Sequence, residues 1–332
     1  MSNEETDRRN WLLTRLVLLA LLVSVPFGLH QLYRSMTALP ETVHIATGVE
    51  GGRYREVMES LGRELASRTE SQFAFHETSG TLENMRLVAQ GEVDFALIQS
   101  GVTVPDRLAS DNLRCVGNIY SESVLLLIRR DSGIADGTQL ASRTVSLGLK
   151  ESGDYAAATS ILDHLGVSEG DINPRYLAYS DIIDGFREGS LDAAIVVVGI
   201  NADMLKTLAA DDLVDVVSIP YAQAFASHYL SYHTVEIAAG TFQTHPHALP
   251  AENIQTVAVT SQLITRENVS NRLVLEMTKI VMDQRFQRDM QLGELFSRGA
   301  AFARHRPSHS LHNGAIECYE PELKPLLPPR LC

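Results

Sequence analysis

The order of elements in this chain runs once and then starts again, and that repetition constrains the fold most. Thr42 to Thr47 (TVHIAT) alternates polar and apolar residues and reads as a strand. A glycine-bearing turn follows, Gly48-Val49-Glu50-Gly51-Gly52, and then Val57, Leu61 and Leu65 recur at helical spacing. Gln72 to Thr78 alternates again, Thr81 is placed to cap a helix running to Gln90, and Gly91 is its stop. Asp94 to Ile98 is apolar enough for a buried strand, and Leu113 to Ile119 and Val124 to Ile128 read as two more. The pattern restarts with a strand at Thr144 to Leu147, a helix at Asp154 to Leu165, a short strand at Arg175 to Ala178, a helix at Ser180 to Arg187 and buried strands at Ala193 to Val198 and Val214 to Ile219. One more strand, Ile254 to Val259, precedes helices between about 270 and 292. Alternation of this kind means parallel sheets with helices on both faces, an α/β fold. Two blocks in 332 residues suit two lobes, at roughly 150 residues per domain.

Residues 1–34 stand apart. Arg8, Arg9 and Arg15 precede a charge-free apolar run from Leu16 to Leu29, which places the N-terminus on the cytoplasmic side and exports the rest. Cleaved signal peptide and uncleaved signal anchor both fit. The run is short for a span of about 20 residues. If Arg15 snorkels, however, the span extends from Trp11 to Tyr33 with an aromatic at each edge, and the cleavage site nearest to it, ending at Ala38, is poor. The expectation is a periplasmic protein tethered to the inner membrane by residues 11–33.

The net charge of −13 excludes a basic nucleic-acid footprint. Three cysteines exclude a four-cysteine zinc site. Cys115 falls in an expected strand as a small buried hydrophobe. Cys318 and Cys332 lie in a proline-rich stretch, 305–332, that reads as surface loop. They are either free thiols or a disulfide stapling this tail, and an oxidising compartment favours the disulfide. His305, His309 and His312 have helix-compatible spacing, but Pro307 interrupts it, so no metal and no cofactor is expected. Phosphate-loop, serine-hydrolase, zinc-protease and C-x-x-C motifs are absent from the sequence, and the chain is read as a binding protein, not an enzyme. An enzyme on this fold would have to work with Asp154 and Glu122.

Three glycine and hydroxyl loops sit at the C-terminal ends of expected strands, where open α/β sheets bind ligands. In the first, Gly48 to Tyr54, glycines allow close backbone approach, Arg53 offers a fork to a carboxylate and Tyr54 a hydroxyl. The second, Thr78-Ser79-Gly80-Thr81-Leu82-Glu83-Asn84, gathers hydroxyls at a helix N-terminus. The third, Glu151-Ser152-Gly153-Asp154, repeats that arrangement in the second block, with Asp154 serving either the ligand or as a helix cap. Two helix N-termini, one per lobe, can grip one anion between them.

These loops, taken in order, resemble the TAXI family of solute receptors for tripartite ATP-independent periplasmic (TRAP) transporters. The likeness runs through Ile45-Ala46-Thr47-Gly48, Gly51-Gly52-Arg53-Tyr54, the 78–84 loop and Gly91-Glu92-Val93-Asp94-Phe95-Ala96-Leu97-Ile98-Gln99. In the second block it takes in Val145-Ser146-Leu147-Gly148, Glu151-Ser152-Gly153 and Phe186 to Ala193, and it ends with His312-Asn313-Gly314-Ala315. The resemblance implies a two-lobed type II periplasmic-binding-protein fold that closes on a small organic anion, a dicarboxylate or an amino acid such as glutamate, and hands it to a TRAP-type permease. Lobe one would comprise 40–125 plus 240–332 and lobe two 128–235, with crossings near 120–132 and 232–242. The expected ligand-binding set is Gly48, Gly52, Arg53, Tyr54, Thr78, Ser79, Gly80, Thr81, Asn84, Gln99, Ser152, Gly153, Asp154 and Gly199, in a monomer. The chain departs from many members in having Arg55 after Tyr54 and Gly101 after Gln99-Ser100, so the solute's identity does not carry over. A membrane-tethered ligand sensor on the same fold is the alternative reading.

Overall fold

The computed structural model describes residues 15, 18–22, 24–28, 39–102 and 111–321, and it divides into two compact units, Met1–Pro40 and Glu41–Cys332. In the first unit the described residues between Arg15 and Gly28 are helical, with Leu18, Leu19, Leu21 and Leu22 exposed. No helix among the described residues is long and apolar enough to cross a membrane, and much of the expected 11–33 span lies outside them.

In the second unit the first block forms β1 (Thr42–Gly48), α1 (Arg53–Arg68), β2 (Gln72–Glu77), α2 (Thr81–Gln90), β3 (Ala96–Gln99) and β4 (Leu113–Arg129). The second block forms β5 (Thr144–Ser146), α3 (Gly153–His164), β6 (Asn173–Arg175), α4 (Tyr179–Arg187), β7 (Ala193–Val198), α5 (Asp203–Asp211), β8 (Val214–Val217), α6 (Ala222–His228) and β9 (His233–Ile237). Then come β10 (Ile254–Arg266), α7 (Asn271–Val281), α8 (Gln284–Asp289), α9 (Gly293–Arg298), α10 (Ala300–Ala303) and α11 (Asn313–Tyr319).

Pairing explains why the pattern repeats. β1 lies parallel to β2, and the Ile45–Phe95 pair sets it beside the start of β3. β10 runs antiparallel between β3 and β4. In the second block β5 lies parallel to β6 and β7, and the end of β4 runs antiparallel between β7 and β8. Each block therefore has the same order and completes itself with one antiparallel strand.

The two strands expected at 113–119 and 124–128 are one strand of 17 residues. It continues because it changes partner instead of ending. Ser123 pairs with Ala258 of β10 on one side and with Val198 of β7 on the other. β10 is likewise longer than expected, at 13 residues, and passes from β9 to β3.

Side chains alternate across this sheet. Val124, Leu126 and Ile128 of β4, with Ile195 and Val197 of β7, pack under α3 and α6. Leu125, Leu127, Ala194 and Val196 pack on the opposite face with α4 and α5, joined by Leu249 and Ile254. The C-terminal stretch expected as loop contains α11 instead. There the His312 Nδ1 accepts the Gly314 N–H at 3.1 Å and begins the helix. Gly314 lets α11 approach α7 so closely that a Cβ there would lie 2.3 Å from the Asn271 carbonyl oxygen. Cys318 sits on this helix, while Cys332, its expected partner, lies outside the described residues. Cys115 is fully buried, and burial pushes its thiol up to about 12.

Candidate functional site

The C-terminal ends of β1, β3 and β7 converge on one cavity, joined by Leu149 from the loop after β5 and by Glu122 of β4. Eleven of the fourteen expected residues line it: Gly48, Gly52, Arg53, Tyr54, Ser79, Gly80, Thr81, Gln99, Ser152, Gly153 and Asp154. Thr78 and Asn84 lie directly behind it. The Thr78 hydroxyl donates to Asn84 Oδ1 at 2.6 Å and accepts the Gly48 N–H at 3.2 Å, and Asn84 Nδ2 donates to the Leu97 carbonyl at 2.7 Å. These two side chains tie the 78–81 loop to β1 and β3. Gly199 lies off the cavity wall and makes room for its neighbours, since a Cβ there would stand 3.1 Å from the Tyr120 ring.

Thr81 does not cap α2. Gly80, at φ +121°, occupies the cap position, and the Thr81 hydroxyl accepts the Gln99 N–H at 3.1 Å. That bond fixes the end of β3 against the helix start. Nor does Asp154 cap α3. Ser152 does so, accepting the Tyr155 N–H at 3.1 Å, while Asp154 Oδ1 accepts the Val197 N–H at 3.0 Å.

The two helix starts meet across the cavity. The Leu82 and Glu83 N–H groups of α2 donate to the Glu151 carbonyl at 3.1 and 3.4 Å, so part of the α2 terminus already has an acceptor from the second lobe. The Gln99 amide presses on Gly153 so closely that a Cβ at Gly153 would lie 2.3 Å from Gln99 Oε1. The lobes are thus in contact, and the enclosed space is about 40 Å³, enough for a few waters only. Outside it a wider mouth of about 420 Å³ is rimmed by Glu50, Glu77 and Glu83.

Arg53 is buried but faces away from the role expected of it: its guanidinium engages Glu56 and the Met290 carbonyl. Tyr120 and Tyr179 are absent from the expected set, and Glu122, expected only as the carboxylate an enzyme would need, belongs to the site with them. Glu122, 2% exposed, accepts the Tyr54 hydroxyl at 2.9 Å and the Tyr120 hydroxyl at 3.4 Å. Burial pushes its carboxyl well above the usual glutamate range. The tyrosine hydroxyls pull the other way, and the nearby Asp154 adds to the rise. The available signal was an acidic residue in the middle of an apolar strand.

Burial likewise pushes Asp154 up to about 7, against the pull of the Val197 N–H and the Tyr179 hydroxyl. The sign follows from linkage. A folded-state value above the unfolded 3.8 costs nothing below about pH 4, costs progressively more as pH rises toward 7, and costs a constant amount above it. Asp154→Asn keeps an acceptor for Val197 and removes the charge. Its thermal midpoint is expected to exceed that of the parent by several degrees at pH 8 and to match it near pH 4. A gain that is equal at both pH values would contradict this.

An α/β chain with two like-ordered blocks, joined by shared strands over an interlobe cavity, has the two-lobed type II periplasmic-binding-protein fold. Residues 45–322 match the NMT1-like family, and the chain belongs to that family. Among solved structures, MatC from Rhodopseudomonas palustris with bound malate is similar at TM-score 0.50 and 15% identity, over 76% of this chain and 88% of that one. At this identity the likeness speaks for the fold alone. The alkanesulfonate-binding protein SsuA from Xanthomonas axonopodis pv. citri, bound to MOPS, gives 0.49 at 12% identity over 85% and 84% of the two chains. The GluR0 ligand-binding core with L-glutamate gives 0.49 at 12% identity over 77% and 98%.

Proposed function

We propose that this protein is an extracytoplasmic solute receptor that closes on a small organic anion and delivers it to a membrane permease of the TRAP type. The supporting observation is the pair of helix starts, one from each lobe, meeting at a single cavity lined by Ser79, Gly80, Thr81, Ser152 and Gly153. A carboxylate there meets the positive ends of α2 and α3, and only a ligand that touches both lobes shifts the balance toward closure. A dicarboxylate or an amino acid such as glutamate carries such a head group. The order of the loops supports the TAXI branch of such receptors, and the apolar N-terminal run supports export and tethering. The role is capture without chemistry.

The enclosed space is far smaller than such a solute, so entry requires the lobes to part. Calorimetric titration of the purified full chain against organic acids and amino acids is expected to give saturable binding, one solute per chain, with a raised thermal midpoint. Absence of both across a broad panel would sink the receptor reading.

A further inference from the structure

Among the described residues, the acceptors on the cavity wall outnumber the free cations. Glu122 and Asp154 are 2% and 6% exposed, and Gln99, 3% exposed and on the cavity wall, holds its amide oxygen buried beside Gly153 with no hydrogen-bond partner. An orphaned acceptor in such a place costs free energy unless a ligand supplies its donor. Among the described residues the only basic side chain on the wall, Arg53, is committed to Glu56 and Met290. The mouth adds Glu50, Glu77 and Glu83, of which Glu77 pairs with Arg55 and Glu83 with Arg86.

We infer that the captured solute carries a cationic nitrogen, a protonated amine or amidine, which Glu122 receives and Gln99 Oε1 helps to satisfy. This rests on the solute-capture reading and narrows it. An amino acid or another zwitterion fits, its carboxylate at the helix starts and its ammonium at Glu122. A nitrogen-free dicarboxylate does not. The groups facing Glu122 decide the matter: Arg53 and Tyr54 from α1, Tyr120 on its own strand, Asp154 from α3 and Tyr179 from α4. All but Arg53 are acids or neutral phenols, and burial holds the phenols well above their ordinary values. A ligand with two negative charges offers the ionised forms of Glu122 and Asp154 no partner. An ammonium group favours the ionised form of Glu122 against the pull of burial.

The test is calorimetric titration of the full chain at pH 7 with matched pairs differing at one carbon, among them L-malate against L-aspartate and 2-hydroxyglutarate against L-glutamate. The amine-bearing member of any pair that binds is expected to bind at least tenfold more tightly. In Glu122→Gln, checked for folding by its thermal midpoint, that preference should collapse to within about threefold. The wild-type preference should also shrink as pH is lowered, because protonation removes the partner of the ammonium, and this reading does not depend on the variant. Equal or tighter binding of the nitrogen-free members, or a preference that survives in Glu122→Gln, overturns the inference and leaves the receptor reading standing. Absence of binding by every member overturns both.

Discussion

Gly153→Val is expected to weaken solute binding by roughly 100-fold or more while leaving the fold intact. Gly153 opens α3 with an ordinary negative φ, so a side chain there strains nothing locally. The obstacle lies across the cleft. The new Cβ would sit 2.3 Å from the Gln99 side-chain Cδ and Oε1, and Gln99 is itself buried between the lobes. Overpacking of this kind costs about 1–3 kcal/mol or more, and it is imposed only when the lobes close. Calorimetry should register the loss, and thermal unfolding of the unliganded chain should hardly move. The double variant Gly153→Val with Gln99→Ala removes the obstructing amide and should recover a large part of the affinity. Without that recovery the contact would not be what limits closure.

Asn84→Ala should be the most damaging of the site substitutions for stability. Asn84 is fully buried and satisfies the Thr78 hydroxyl and the Leu97 carbonyl at once. Truncation orphans both. With each buried unsatisfied group costing about 1–3 kcal/mol, a loss of roughly 2–4 kcal/mol is expected in denaturant unfolding. The same change frees the 78–81 loop from β1 and β3, so binding should weaken as well. A variant of parental stability would mean that water replaces the lost amide.

Much of this was legible in the residues, and the reasons differ from place to place. The strand at Ala193–Val198 was readable because six consecutive apolar residues can only be covered on both faces. Gly91 was readable as a helix stop because it takes φ +83°, a conformation other residues resist. The meeting of the 78–81 and 152–154 loops followed from their equivalent places in two similar blocks. What escaped was set by contacts remote in sequence. Thr81 looked like a cap, but its hydroxyl is taken by Gln99, 18 residues away. Arg53 looked like an anion fork, but the Met290 carbonyl, 237 residues away, turns it aside. Glu122 stood out locally as an acid in an apolar strand, but its place among ligand-binding groups depends on Tyr54, 68 residues away, and on Asp154. The helix at Asn313–Tyr319 was hidden by the prolines on either side of it.

Within one eight-stranded sheet β4 gives its first half to β10 and its second half to β7 and β8 of the second block, and β10 passes from β9 to β3 in the same manner. Neither lobe owns a complete set of central strands. Severing the chain between the blocks would expose unpaired backbone in the middle of that sheet, not at its margins. The halves should therefore gain and lose their structure together, in one cooperative transition. These shared strands are the part of the fold that the molecule can least spare.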